Sequence, residues 1–319
     1  MRFSTPAVAL VVAIALSGCS AALPSASSSD PAERSTPPST TRSGLVAIGG
    51  EREMFLSCRG SGSPTVVFIS GTGGGADEWS TLPDAGAGAD EGVGAPSSPP
   101  ESQPAAVPVF DAVSESTRVC AYDRPGVTLD DGSPTTTTPV PQPTTAQQGV
   151  DDLDAVLAAA DESGPFLVVG ASWGGLIAQL FARTHPDATA GLVLVDSAST
   201  YLEQTLSSEQ WQAWMAAIEG ARAGDAESPA YEPTMAEFES ALPSPSVPAV
   251  VLSSDEPWDL QVTPGESTWP AWLAGQAALA ESLQAMHVSD THSGHGIQVE
   301  QPDLVTTAID DVIEEIRKG

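Results

Sequence analysis

A serine stands among small residues in Gly170-Ala171-Ser172-Trp173-Gly174-Gly175. Its hydroxyl is a weak nucleophile near neutral pH and attacks a carbonyl carbon only when a base lies within hydrogen-bond reach. His185, His287, His292 and His295 are the four histidines that could supply that base. An acid must then fix the imidazole tautomer and stabilise the imidazolium. Backbone N–H groups must also be aimed at the developing oxyanion. The chemistry in question is acyl transfer.

Such a serine has to be positioned, and its neighbours supply the means. An apolar run at residues 165–169 precedes it, and a helical pattern at 176–182 follows. Strand, sharp turn and helix in that order make Gly-x-Ser-x-Gly a nucleophile elbow, in which glycines relieve crowding around a strained serine. The following helix directs its N-terminus to the same sheet edge. A tight turn that merely contains serine would explain neither neighbour.

Further strand-like runs occur at 45–48 and 54–58, separated by Gly49-Gly50 as in a hairpin, and at 65–69, 118–122, 192–195, 249–252 and 285–288. Residues 146–160 read as a helix with Val150, Leu153, Val156 and Leu157 on one face. A last helix starts at Pro302 and presents Leu304, Val305, Ala308, Ile309, Val312, Ile313 and Ile316 to the core. Alternating strands and helices predict an α/β fold with a mostly parallel sheet covered on both faces. Three stretches interrupt the rhythm. Residues 82–108 are rich in Gly, Ala, Pro and Ser, and residues 127–148 in Thr and Pro. Both read as long, mobile loops at the mouth of the site. Residues 200–247, between two core strands, read as a small helical cap.

The 319-residue chain, 41% hydrophobic, suffices for one large core with insertions. Its formal net charge of −31 repels nucleic acid and anionic surfaces, and leaves a preference for neutral or cationic substrates. Met1-Arg2 and the ten apolar residues 7–16 read as a signal peptide over 1–18, too short to span a bilayer. Leu16-Ser17-Gly18-Cys19 resembles a bacterial lipobox, which implies lipidation of Cys19 and an extracytoplasmic, membrane-anchored protein. Residues 19–43, rich in Ser, Pro, Ala and Thr, would be a flexible tether, leaving 44–319 as the globular domain. In an oxidising compartment the remaining cysteines, Cys58 and Cys120, are expected to be bridged. No Cys/His spacing suggests a structural metal site, and no cofactor is implied.

From residue 44 onward the chain resembles the α/β-hydrolase superfamily, of the serine hydrolase or esterase type. Four landmarks carry the resemblance in the family's order: Ser70-Gly71-Thr72-Gly73-Gly74, Asp123-Arg124-Pro125-Gly126, the elbow, and Ser293-Gly294-His295. One departure is Ser70, where histidine is common. The resemblance implies an eight-stranded, mostly parallel sheet with a small helical cap, and Ser172 as nucleophile. It places the base in the loop before the last helix, which favours His295 over His292. The oxyanion hole would use the backbone N–H groups of Thr72 and Trp173, with Gly71, Gly73 and Gly74 admitting the substrate. Trp79 is a candidate pocket residue or a core one. The acid stays open between Asp196, after the sixth strand, and Asp255, after the seventh, with Glu256 and Asp259 as neighbouring rivals. The family's strand order sets the second strand antiparallel to the fourth, which would bring Cys58 to Cys120.

The expected protein is a monomeric serine hydrolase acting on a small-molecule or lipid-like ester. A peptidase or amidase with the same triad is one alternative. A non-catalytic envelope-binding lipoprotein that keeps the fold is another.

Overall fold

The computed structural model describes residues 41–82, 106–220, 224–258 and 267–319. The expected signal peptide, Cys19, most of the tether, most of the 82–108 loop and the rival acid Asp259 lie outside the described residues. Eight strands form one sheet: β1 Arg42–Gly49, β2 Arg52–Arg59, β3 Thr65–Ile69, β4 Val119–Tyr122, β5 Phe166–Ala171, β6 Thr189–Val195, β7 Ala249–Leu252 and β8 Met286–Val288. Their order is β1-β2-β4-β3-β5-β6-β7-β8. The hairpin β1–β2 and the pair β2–β4 are antiparallel, and every other pairing is parallel. Cys58 faces Cys120 across the β2–β4 ladder, with Cα atoms 4.1 Å apart, and the two form a disulfide.

Strands fed by crossover helices must bury both faces, and the apolar run in β3 shows how. Val67 and Ile69 point to a core shared with α2 (Ala146–Ala159) and α3 (Ser172–Thr184). Val66 and Phe68 point to the opposite core, shared with α1 (Val109–Ser114) and α9 (Pro302–Lys318). Each fully buried Val, Leu or Phe contributes about 1.5–3 kcal/mol, so these layers hold the sheet edge in place. Helix α2 begins in a capping box: Gln148 N–H donates to Thr145 Oγ1 at 3.3 Å, and Thr145 N–H to Gln148 Oε1 at 2.9 Å.

Between β6 and β7 lie α4 (Leu202–Thr205), α5 (Ser208–Gly220) and α6 (Tyr231–Ser240), in the stretch expected to be a cap. Helix α7 (Trp269–Leu283) was not marked by the sequence pattern. Its Ala- and Leu-rich residues give little polar contrast around the helix, although Trp272, Gln276 and Leu279 are buried. A four-residue helix, α8 (Ile297–Glu300), follows the His295 loop. The Thr/Pro-rich stretch before α2 is irregular, as read, but it is stitched to the body rather than loose. Thr128 N–H donates to Gly73 O at 2.8 Å, Thr138 N–H to Glu53 O at 2.8 Å, and Thr144 N–H to Ser228 O at 3.0 Å. Threonine hydroxyls supply the rest: Thr137 Oγ1 accepts from Phe55 N–H and donates to Asp123 O, both at 2.9 Å.

Candidate active site

Ser172 is the first residue of α3 and has φ = 50°, in the left-handed region that a non-glycine residue occupies only under constraint. The constraint is visible on both sides. A methyl on Gly174 would collide with the carbonyls of Ile69 and Ser70, and one on Gly170 with the carbonyl of Gly174. Only glycine lets α3 start this close to β3 and β5.

His295 brings its ring to this serine from the loop after β8. Its Nε2 lies 2.9 Å from Ser172 Oγ, and its Nδ1 lies 2.6 Å from Asp196 Oδ2. Asp196 follows β6 directly and also has positive φ, 38°. Its carboxylate is fully buried, and its second oxygen accepts from Ser254 N–H at 3.0 Å and from Trp272 Nε1–H at 2.9 Å. A buried carboxylate holding three donors is fixed in place and supported as an anion.

Asp255 does not join this group, since no hydrogen bond links it to His295 among the described residues. Its Oδ1 accepts from Ser293 N–H at 3.0 Å and Thr291 Oγ1–H at 3.3 Å, which shapes the loop that bears His295. The Ser293 amide holds its carboxyl below the usual range. Glu256 N–H is likewise bonded to Ser293 O, at 3.1 Å. The other histidines are elsewhere. His185 stacks on Phe181 at the end of α3, and His292 is exposed beside Asp255 and Asp290. His287 Nε2 lies 2.7 Å from Ser253 Oγ, and partial burial pushes its pKa down.

The loop after β3 approaches Ser172 from the other side. Its flanking amides are engaged: Gly71 N–H donates to Glu78 Oε2 at 3.2 Å, and Gly73 N–H to Glu227 Oε2 at 2.6 Å. No described residue accepts from the Thr72 N–H between them. Trp173 N–H, in the first turn of α3, likewise has no partner within its helix. The Trp173 side chain is core, packed against Tyr231 with ring centroids 5.1 Å apart. Ser70, the departure from histidine, donates to Gly75 O at 2.6 Å and closes the loop locally.

Asp123 and Arg124 brace the same loop. Asp123 Oδ1 accepts from Ala76 N–H at 2.7 Å. Arg124 donates to Ser70 O at 3.0 Å and Gly71 O at 2.6 Å, and forms a buried two-point ion pair with Glu227 at 2.5 and 3.0 Å. Glu227 belongs to the cap region, so one charge pair ties cap to loop. Arg124 stands in a recognisable motif, Asp123-Arg124-Pro125-Gly126, whereas Glu227, 103 residues away, carries no local sequence signal.

A cavity of about 600 Å³ contains Ser172, His295, Gly71 and Thr72 in its lining. The other walls include four aromatic side chains, Trp214 and Tyr231 from the cap, Trp258 after β7 and Trp272 from α7, beside polar and small residues. The Trp258 ring lies 4.0 Å from that of His295, centroid to centroid. Trp79 is not a wall. It is fully buried against Phe68, 4.8 Å between centroids, in the core shared with α1 and α9.

The model of the alpha/beta hydrolase family matches residues 66–308, most of the chain. The chain belongs to the alpha/beta hydrolase family. Among curated relatives of this hydrolase, the uncharacterized protein YqjL of Bacillus subtilis is 26% identical over 219 residues, 64% of this chain and 76% of that protein. The uncharacterized protein C23C11.06c of Schizosaccharomyces pombe is 38% identical over 87 residues, 27% of this chain and only 15% of its own length. A thermophilic esterase from Thermogutta terrifontis has a similar fold, with a TM-score of 0.50 and 20% identity over 87% of this chain and 98% of its own.

Proposed function

We propose that this alpha/beta hydrolase cleaves a carboxylic ester through an acyl-enzyme formed on Ser172. The observation that carries the reading is the continuous hydrogen-bonded line Ser172–His295–Asp196. In the proposed reaction His295 Nε2 takes the hydroxyl proton as Ser172 Oγ attacks the ester carbonyl carbon. Asp196 holds Nδ1–H and stabilises the imidazolium without taking the proton itself. Negative charge then develops on the carbonyl oxygen, where the unengaged N–H of Thr72 and the first-turn N–H of Trp173 can receive it. The tetrahedral intermediate collapses, the C–O bond breaks, and His295 returns its proton to the leaving alkoxide. Water, deprotonated by the same imidazole, attacks the acyl carbon and releases the acid and free Ser172.

Two features support an ester rather than an anionic polymer as substrate: a concave cavity with four aromatic side chains in its lining, and a chain of net charge −31. The test is labelling with a fluorophosphonate probe, in wild type and Ser172→Ala, followed by a panel of p-nitrophenyl esters and aminoacyl anilides. Wild-type labelling lost in Ser172→Ala, with esters preferred, is expected. Faster anilide turnover would make the protein an amidase, and absence of labelling in folded wild type would remove catalysis from Ser172. We also propose lipid anchoring at Cys19, tested by metabolic labelling with a palmitate analogue. Equal labelling of Cys19→Ser would refute it.

A further inference from the structure

Three carboxylates line the catalytic cavity, and they differ in what neutralises them. Glu227 is paired with Arg124. Asp130 is exposed and accepts from Thr81 Oγ1. Glu78 is half-buried, and its hydrogen-bond partners among the described residues are neutral: Gly71 N–H on one oxygen and Gln298 Nε2–H on the other. Among the described residues no Lys or Arg forms an ion pair with it, and none lines the cavity. The position is close to the chemistry. A methyl on Gly71 would touch both Ser172 Cβ, at 3.4 Å, and Glu78 Oε1, at 3.9 Å.

A second observation points to a missing donor. Gln298 lines the same cavity and is only 4% exposed. Its amide nitrogen is committed to Glu78, yet its Oε1 has no hydrogen-bond partner among the described residues. A buried carbonyl without a donor costs about 1–3 kcal/mol, so a ligand N–H reaching this one would recover that cost. The same cavity is lined by Trp214, Tyr231, Trp258 and Trp272, aromatic groups of the kind that attract cations and pack on alkyl chains. A carboxylate with no ion-pair partner in contact among the described residues, a carbonyl without a donor there and aromatic lining groups share one complement. It is an N–H donor with positive charge on an apolar stem.

We propose that the cavity selects esters bearing a primary ammonium group, which Glu78 and Gln298 bind beside Ser172. This deepens the hydrolase reading and rests on it for turnover, though not for binding. Burial pushes the Glu78 carboxyl above the usual range, against the hydrogen bonds from Gln298 and Gly71 and the nearby charges of Arg124 and His295. A bound ammonium would add an opposite charge in direct contact with this carboxyl, which Arg124 and His295 do not make.

The experiment has a turnover arm and a binding arm. Turnover compares kcat/KM for p-nitrophenyl 6-aminohexanoate against p-nitrophenyl heptanoate, and for 6-aminohexyl acetate against heptyl acetate, in wild type and Glu78→Gln. Each ratio cancels any effect of the substitution common to both esters. A preference for the ammonium ester of about tenfold or more is expected in at least one pair, falling towards unity in Glu78→Gln. Binding compares n-hexylammonium with n-hexanol on Ser172→Ala, by calorimetry, with and without Glu78→Gln. Tighter ammonium binding that depends on Glu78 supports the proposal even if no ester is turned over, in which case the hydrolase reading alone fails. Equal binding of the two ligands, or a preference that survives Glu78→Gln, overturns it. Attraction by net charge alone would survive, because the substitution changes the −31 total by one unit.

Discussion

Replacing Glu227 by Gln keeps the side chain's shape and removes the charge facing Arg124. Both groups are nearly inaccessible, with side chains 3% and 1% exposed for Arg124 and Glu227. Breaking one half of such a buried pair typically costs about 3–5 kcal/mol, because the remaining ion stays desolvated without its partner. Arg124 would keep its bonds to Ser70 O and Gly71 O, which compensate in part. The lower end is therefore expected: about 3 kcal/mol, or roughly a hundredfold in the folding equilibrium. The same change weakens the acceptor for Gly73 N–H, 2.6 Å away in wild type, so the Thr72 turn loosens and ester kcat/KM should fall with stability. Urea unfolding of Glu227→Gln, Arg124→Met and the double variant forms a complete cycle. A coupling of about 2 kcal/mol or more is predicted, whereas an exposed pair such as Lys318–Glu314 should give about 0–1. A Glu227→Gln variant within about 0.5 kcal/mol of wild type, with no coupling, would refute the claim that this pair braces the loop.

Trp272→Phe keeps a ring in α7 but removes one of the three donors on Asp196, so kcat should drop about tenfold or more. Steady-state kinetics on one ester decides it. Burial raises the Glu78 pKa, so the native state binds this proton more readily than the unfolded chain. The associated stability is present below the unfolded value, about 4.3, and is lost as pH rises through the native value. Tm measured from pH 4 to 8 should therefore show Glu78→Gln gaining on wild type as pH rises. Reducing the Cys58–Cys120 bridge, which spans 62 residues, should cost up to about 4 kcal/mol, readable as a lower urea midpoint with and without reductant.

The elements that position Ser172 were legible because local pattern suffices for them. An apolar strand, a glycine-rich turn and an amphipathic helix follow one another without a break at residues 165–184. The choice between Asp196 and Asp255 was not local. Both follow a parallel strand at the same sheet edge, and what separates them is long-range. Trp272 comes from a helix with weak polar contrast, Ser254 N–H from the end of the neighbouring strand, and His295 from a loop 99 residues away. Asp255 satisfies the same turn chemistry while serving another purpose, holding Ser293. Trp79 was ambiguous for a similar reason, since a tryptophan just after a glycine loop suits either a cavity wall or a core. Glu78 and Gln298, 220 residues apart, had no sequence signal linking them.

The most direct test of the central claim is kcat/KM of Asp196→Asn beside Asp255→Asn on a short p-nitrophenyl ester that wild type hydrolyses. Asp196→Asn should fall by on the order of 10⁴-fold, because the imidazole loses the carboxylate that sets its tautomer, while Asp255→Asn should stay within about tenfold. A large loss in Asp255→Asn with Asp196→Asn near wild type would contradict the account.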